Sequence, residues 1–171
     1  YSKNPISIGI GINTGMMMLG TIGEDDRMEG SVISDAVNLA ARLEELTKVY
    51  KAKILISEDT ATNLKIGSFS TRLVDVVAVK GRAEAVRVFE VLDGELHDIY
   101  TGKIITKPIF SKAFDLYQAQ KIEEAFKLFS ECKAKNPTDG AVDYYIQYCE
   151  QLIEKGWNSE TWDGVNRRTI K

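Results

Sequence analysis

The sequence predicts an α+β fold: an open sheet with helices laid over it, continued by an all-α C-terminal extension. Three observations carry that reading. Through residues 1–95, short β-rich apolar runs alternate with helical periodicity. Beyond them the pattern is almost entirely helical. Aromatic residues divide the same way, with Tyr1, Tyr50, Phe69 and Phe89 before residue 100 and eleven more over residues 100–171. The expected organisation is therefore a first unit over 1–95, a linker over 96–110 and a helical tail over 111–171. Asp93, Gly94 and a threonine- and lysine-containing run mark the junction.

The elements follow in order. Residues 6–12 are a β-rich run bounded by Pro5 and Asn13, and residues 16–22 are a second apolar run. The Thr14-Gly15 turn between them predicts a hairpin. From Asp35 to Tyr50 the period becomes helical, with Val37, Ala40, Ala41, Leu43 and Leu46 as the expected apolar stripe. Residues 54–56 form a short buried strand. Ser57 then has the character of a helix N-cap, with Glu58 and Asp59 placed to complement the helix dipole. Two strands, 72–79 and 84–92, flank the Lys80-Gly81-Arg82 turn. In the tail, Ala113, Leu116, Ala125, Phe129, Cys132 and Pro137 have the spacing of a tetratricopeptide-like helix pair. A further helix is expected from Val142 to Lys155.

Composition narrows the function. A net charge of −3, spread without a basic block, argues against nucleic acid and against anionic lipid as partners. No apolar run approaches the roughly 20 residues that cross a bilayer. Cys132 and Cys149 form no disulfide framework, which fits a reducing, cytoplasmic setting, with any membrane anchor of a parent protein lying upstream. One histidine and no Cys/His cluster speak against a zinc site. The chain opens on Tyr1, directly before a strand pattern, and so reads as a segment of something longer.

The chemistry concentrates between Arg27 and Glu44. On a helix, Asp35, Asn38, Arg42 and Glu45 fall three or four residues apart and share one face. An amide and a guanidinium one turn apart can hold a sugar and a phosphate oxygen together, because arginine offers a planar, permanently charged fork. The same spacing also describes an ordinary solvated helix face, so spacing alone leaves both readings open.

The order of motifs adds a resemblance. G-I-G-I-x-T-G at 9–15, G-x-I-G at 20–23, R-x-x-x-S-V-I-S-D-A-V-N-L-A-A-R-L-E at 27–44, I-L-I-S at 54–57 and V-K-G-R at 79–82 together resemble the second half of a class III nucleotidyl cyclase catalytic domain, in the style of bacterial adenylate cyclases. The resemblance covers about residues 6–92 and implies a ferredoxin-like cyclase sandwich. It implies that Asn38 orients the ribose and that Arg42 contacts the reacting phosphate. Lys80 matches a lysine that grips the terminal phosphates. Ser31 stands where the family reads the purine, and its hydroxyl can accept from an adenine amino group or donate to a guanine carbonyl. Adenine is the expected base, with a guanylate cyclase as the alternative. Asp35 reads as a helix-capping acid.

The resemblance also implies ATP as substrate, Mg2+ or Mn2+ as cofactor, and a homodimer whose site is shared between chains. The family's metal-binding aspartates fall ahead of Tyr1, and Asp25 and Asp26 lie in the wrong motif to replace them. No metal ligand is therefore assigned, and the isolated chain is expected to be inactive. A non-catalytic dimerisation module, whose helical tail binds a protein, is the rival of a different class.

Weaker signals point to structure. Gly9 and Gly11 fall inside a strand with no helix opening after them, which argues against a dinucleotide loop and for close packing. Met16, Met17 and Met18 read as core or hairpin filler. His97 reads as solvated, and Trp157 and Trp162 as anchors of the tail.

Overall fold

The computed structural model describes residues 7–24, 27–33, 35–78 and 85–155. Six strands and five helices follow the order β1 (Ile10–Ile12), β2 (Met18–Glu24), β3 (Arg27–Ile33), α1 (Asp35–Tyr50), β4 (Ile54–Ser57), α2 (Glu58–Asn63), β5 (Thr71–Val77), β6 (Val86–Val91), α3 (His97–Gln118), α4 (Ile122–Lys135) and α5 (Gly140–Lys155). The α+β class is as the sequence predicts. Lys80, Asp25, Asp26, Trp157 and Trp162 lie outside the described residues.

Four strands make one sheet in the order β1-β4-β6-β5, with β1 parallel to β4 and the other pairs antiparallel. The expected hairpin between residues 6–12 and 16–22 does not form. Strand β1 pairs with β4 instead, through Ile10↔Ile54 to Ile12↔Ile56. Strand β2 forms a separate antiparallel ribbon with β3. The reason lies in the turn residues. Asn13 Nδ2 donates to the Ala36 carbonyl at 3.0 Å, and the Thr14 and Thr60 hydroxyls lie 3.1 Å apart. The segment after β1 is thus committed to α1 and α2 rather than to a tight turn.

Helix α1 buries Ala36, Leu39, Leu43, Leu46, Thr47 and Tyr50. The expected stripe was out of phase: Leu43 and Leu46 are inside, but Val37 is 39% exposed and Ala41 faces solvent. Larger side chains at Leu39 and Tyr50 set the buried face, which a count of small residues missed. Gly11 in β1 and Gly9 just before it explain how closely the helix sits. A Cβ on Gly11 would lie 2.3 Å from the Ala40 carbonyl oxygen and from the Glu44 nitrogen, and one on Gly9 would lie 1.8 Å from Thr47 Oγ1. The backbone of α1 rests on the backbone of β1, as close packing requires.

Ser57 caps α2, its hydroxyl accepting from the Thr60 N–H at 3.2 Å, as expected. The methionine expectation fails for the described side chains: Met16 and Met17 are 94% and 57% exposed. His97 is exposed at the start of α3.

The expected extended linker over 96–110 is helical, because α3 begins at His97 and runs through Pro108 to Gln118. Its buried face is Lys103, Thr106, Phe110, Ala113, Phe114 and Tyr117. Two polar residues at the front of that stripe hid its period. The three C-terminal helices join the core of the sheet: Leu39, Leu43, Leu55, Val74, Val88, Phe110, Phe129 and Tyr145 belong to one continuous apolar cluster.

Candidate functional site

The two candidate catalytic side chains lie on α1. Asn38 is exposed and Arg42, one turn further on, is half-buried; Asp35 and Glu45 continue the same face. The stripe read from spacing therefore flanks the buried face of α1. Its rigidity comes from below. Leu39, Leu43 and Leu46 are sealed into the core, and the glycine-lined β1 holds the helix backbone in place.

The front of α1 is fixed by the segment after β1. Besides the Asn13 bond to Ala36, the Thr60 hydroxyl donates to the Ile12 carbonyl at 3.4 Å. A Cβ on Gly15 would lie 3.0 Å from the Ala36 Cβ. Strand β3 leads into this end of the helix. Ser31 lies in β3 opposite Gly20, on the β2–β3 ribbon. It thus lies neither on the helix that carries Asn38 and Arg42 nor in the four-stranded sheet. Lys80 lies outside the described residues, but the strands that lead to it, β5 and β6, pair from Thr71↔Val91 to Val77↔Val86.

The rear of α1 holds a polar junction that the sequence reading did not anticipate. Strand β5 carries an extra residue between Leu73 and Asp75, so Val74 and Asp75 are both buried. The Tyr50 hydroxyl, at the last residue of α1, donates to Asp75 Oδ2. From α5, the Tyr145 hydroxyl donates to the Val74 carbonyl at 2.6 Å and lies 3.4 Å from Asp75 Oδ1. Burial pushes the Tyr145 phenol well above its ordinary value, so it stays a neutral donor. Gly140, the first residue of α5, makes this approach possible: a Cβ there would lie 2.6 Å from the Tyr50 carbonyl oxygen.

A second buried network ties the extension to the outer strands. Arg72 Nε donates to Glu90 Oε2 at 2.6 Å, and its two terminal nitrogens donate to Asp139 at 2.6 and 2.7 Å. Lys103 Nζ donates to Glu90 Oε1 and to Glu95 Oε1, each at 2.6 Å. The Arg72 guanidinium lies 4.4 Å from the centre of the Phe110 ring. Burial alone lowers the Arg72 pKa, but Glu90 and Asp139 outweigh it and hold the pKa above its ordinary value. Burial likewise raises the Asp139 carboxyl, and Arg72 outweighs it, leaving the pKa below its ordinary value. The alternation of Arg72 with Val74 and of Glu90 with Val88 could have signalled these charges as inward-facing; their partners in the helices could not be read.

Among the described residues, no group of three or more His, Cys, Asp or Glu side chains is placed to hold a metal ion. The divalent cation that class III cyclases use has no ligand set there. No described helix is long and apolar enough to cross a membrane.

These features define a class. The chain matches the family described as the adenylate and guanylate cyclase catalytic domain over residues 1–92, and it belongs to that family. It is 42% identical over 156 residues to the terminal-differentiation-specific adenylate cyclase of Dictyostelium discoideum, covering 90% of this chain and 7% of that protein. The length of that match carries it past residue 92 into the C-terminal helices. The adenylate cyclase of Anabaena cylindrica is 50% identical over 88 residues, covering 50% of this chain and 18% of that protein. The chain thus spans less than a fifth of either relative. Among solved structures, the adenylyl cyclase CyaB from P. aeruginosa is similar at 37% identity and a TM-score of 0.46, covering 55% of this chain and 46% of that one.

Proposed function

We propose that this chain supplies the ribose- and phosphate-binding half of an adenylate cyclase site, which converts ATP to 3′,5′-cyclic AMP and pyrophosphate. The observation that carries the reading is the placement of Asn38 and Arg42 one turn apart on the outer face of α1, over a helix pinned to β1. In this reading the Asn38 amide holds the ribose so that its 3′-oxygen faces the α-phosphorus. The 3′-hydroxyl gives up its proton to water, and its oxygen forms the new bond to the α-phosphorus as the bond from that phosphorus to the bridging oxygen of pyrophosphate breaks. Negative charge grows on the phosphoryl oxygens as this happens, and Arg42 meets it with a fixed, already oriented cation. Lys80 holds the terminal phosphates that depart as pyrophosphate, and Ser31 accepts from the adenine amino group.

The site is completed by a second chain of the same kind. The ligands of the Mg2+ or Mn2+ come from the first half of the catalytic domain, ahead of residue 1. Pairing that half with the Asn38/Arg42 face across a homodimer gives one composite centre.

The test is Arg42→Ala in the complete catalytic domain, assayed with ATP and with GTP. Loss of one transition-state donor lowers turnover about a hundredfold or more, with the melting temperature little changed. Activity within a few-fold of the parent contradicts the role. Preferential turnover of GTP transfers the reading to a guanylate cyclase.

A further inference from the structure

We propose that the Tyr50–Asp75–Tyr145 junction is a positioning device that sets α1, with Asn38 and Arg42, against strands β5 and β6. The inference rests on the catalytic reading above, and it gives the C-terminal helices a role in that site.

The junction joins three elements at one carboxylate. Tyr50 ends α1, Asp75 occupies the irregular step of β5, and Tyr145 comes from α5. The β-bulge is what turns Asp75 inward beside Val74, and bulges re-aim side chains in this way. Each hydroxyl fixes one distance: Tyr50 ties the helix to the strand, and Tyr145 ties the strand to the extension at the Val74 carbonyl, 2.6 Å away. The close seat of Gly140 on Tyr50 and Lys51 closes the triangle from the third side.

Leverage gives the junction its reach. Arg42 stands eight residues from Tyr50, about 12 Å along a helix. A tilt of about 5° at Tyr50 then moves Arg42 by about 1 Å, and a misplacement of that size can cost up to about 10²-fold in rate. The packing on β1 resists such a tilt, so the expected effect of losing one hydroxyl is smaller. Arg42 meets charge that grows only in the transition state, so kcat should fall while KM holds.

Tyr145→Phe is the direct variant. It deletes the hydroxyl and keeps the ring, which stacks on Phe129 with centroids 4.9 Å apart. Tyr50→Phe tests the same junction from the other side, in case Tyr145→Phe does not fold. Two measurements are made on whichever variants melt cooperatively. In the 171-residue chain, nitroxide labels at Ala41→Cys and Ala85→Cys report the spacing between α1 and these strands by pulsed electron resonance. In the complete catalytic domain, kcat and KM for ATP are measured well below the melting temperature.

The expected result is a label distance displaced or broadened by up to about 1 Å, with kcat reduced five- to tenfold and KM within twofold. An unchanged distance overturns the proposal, and so does an unchanged kcat, or a KM that rises while kcat stays. Arg42→Ala is run in parallel. If Arg42→Ala is inactive and both phenylalanine variants match the parent, the positioning role alone fails. If Arg42→Ala matches the parent, the catalytic reading fails, whatever the label distances show.

Discussion

Arg72 and Asp139 lie 67 residues apart and meet through two parallel hydrogen bonds of 2.6 and 2.7 Å, with 3% and 0% of their surfaces exposed. One residue belongs to the outer strand of the sheet and the other precedes α5. A bidentate pair of this kind fixes angle as well as distance. It makes the helical extension part of the same body as the sheet.

The stability effect of that pair is asymmetric. Replacing a buried ion pair with apolar residues is often neutral, but removing one partner leaves an uncompensated charge inside. Asp139→Ala should therefore destabilise the chain by about 3–5 kcal/mol, read by urea unfolding. A loss below about 1 kcal/mol would place the pair at the periphery of the fold, against the burial observed here.

The same carboxylate gives a pH dependence with a definite sign. Its folded pKa is below the ordinary value of 3.8, so the unfolded chain binds the proton more readily. The contribution is complete at neutral pH and is lost as pH falls through 3.8 towards the folded value. Asp139→Asn should flatten the acid side of the stability profile as well as lower its plateau. An unchanged slope below about pH 4 would contradict this.

Truncation after residue 95 tests the unity of the body. Without α3–α5, Val74, Val88 and Arg72 lose the surface that buries them, and the five-charge network loses Lys103 and Asp139. The truncated chain should fail to melt cooperatively and should aggregate where the 171-residue chain does not. A monomeric, cooperatively melting 1–95 fragment would contradict this unity.

Thiol chemistry checks the packing of the extension independently. Burial pushes the Cys132 thiol up to about 11 and the Cys149 thiol to about 12, and both are fully enclosed. Neither should react measurably with a thiol reagent at pH 8 until denaturant is added, because the thiolate is the nucleophile. Rapid labelling of either one in the folded chain would contradict the described core.

Much of this fold was legible in the sequence, and the failures share a cause. Helix α1, the Ser57 cap, β4–β6 and α5 announce themselves through local periodicity and capping chemistry. Strand pairing is non-local, so the Thr14-Gly15 turn suggested a hairpin while tertiary bonds from Asn13 and Thr14 decided otherwise. Helix α3 was hidden because Lys103 and Thr106 occupy its buried stripe, and a buried lysine makes sense only once Glu90 and Glu95 are beside it. The Asn38/Arg42 face was legible from spacing together with the family motif. The Asp75 junction was not, because it assembles from three elements far apart in the chain.

The central claim is that this chain contributes the Asn38/Arg42 half of a shared centre, and mixing tests it most directly. A complete cyclase domain carrying Asn38→Ala and Arg42→Ala keeps its metal-binding half and is inactive on its own. Adding the 171-residue chain should restore ATP cyclisation as the two associate, and adding its Arg42→Ala form should not. No recovery from a mixture in which sedimentation shows the two chains associated would contradict the shared site.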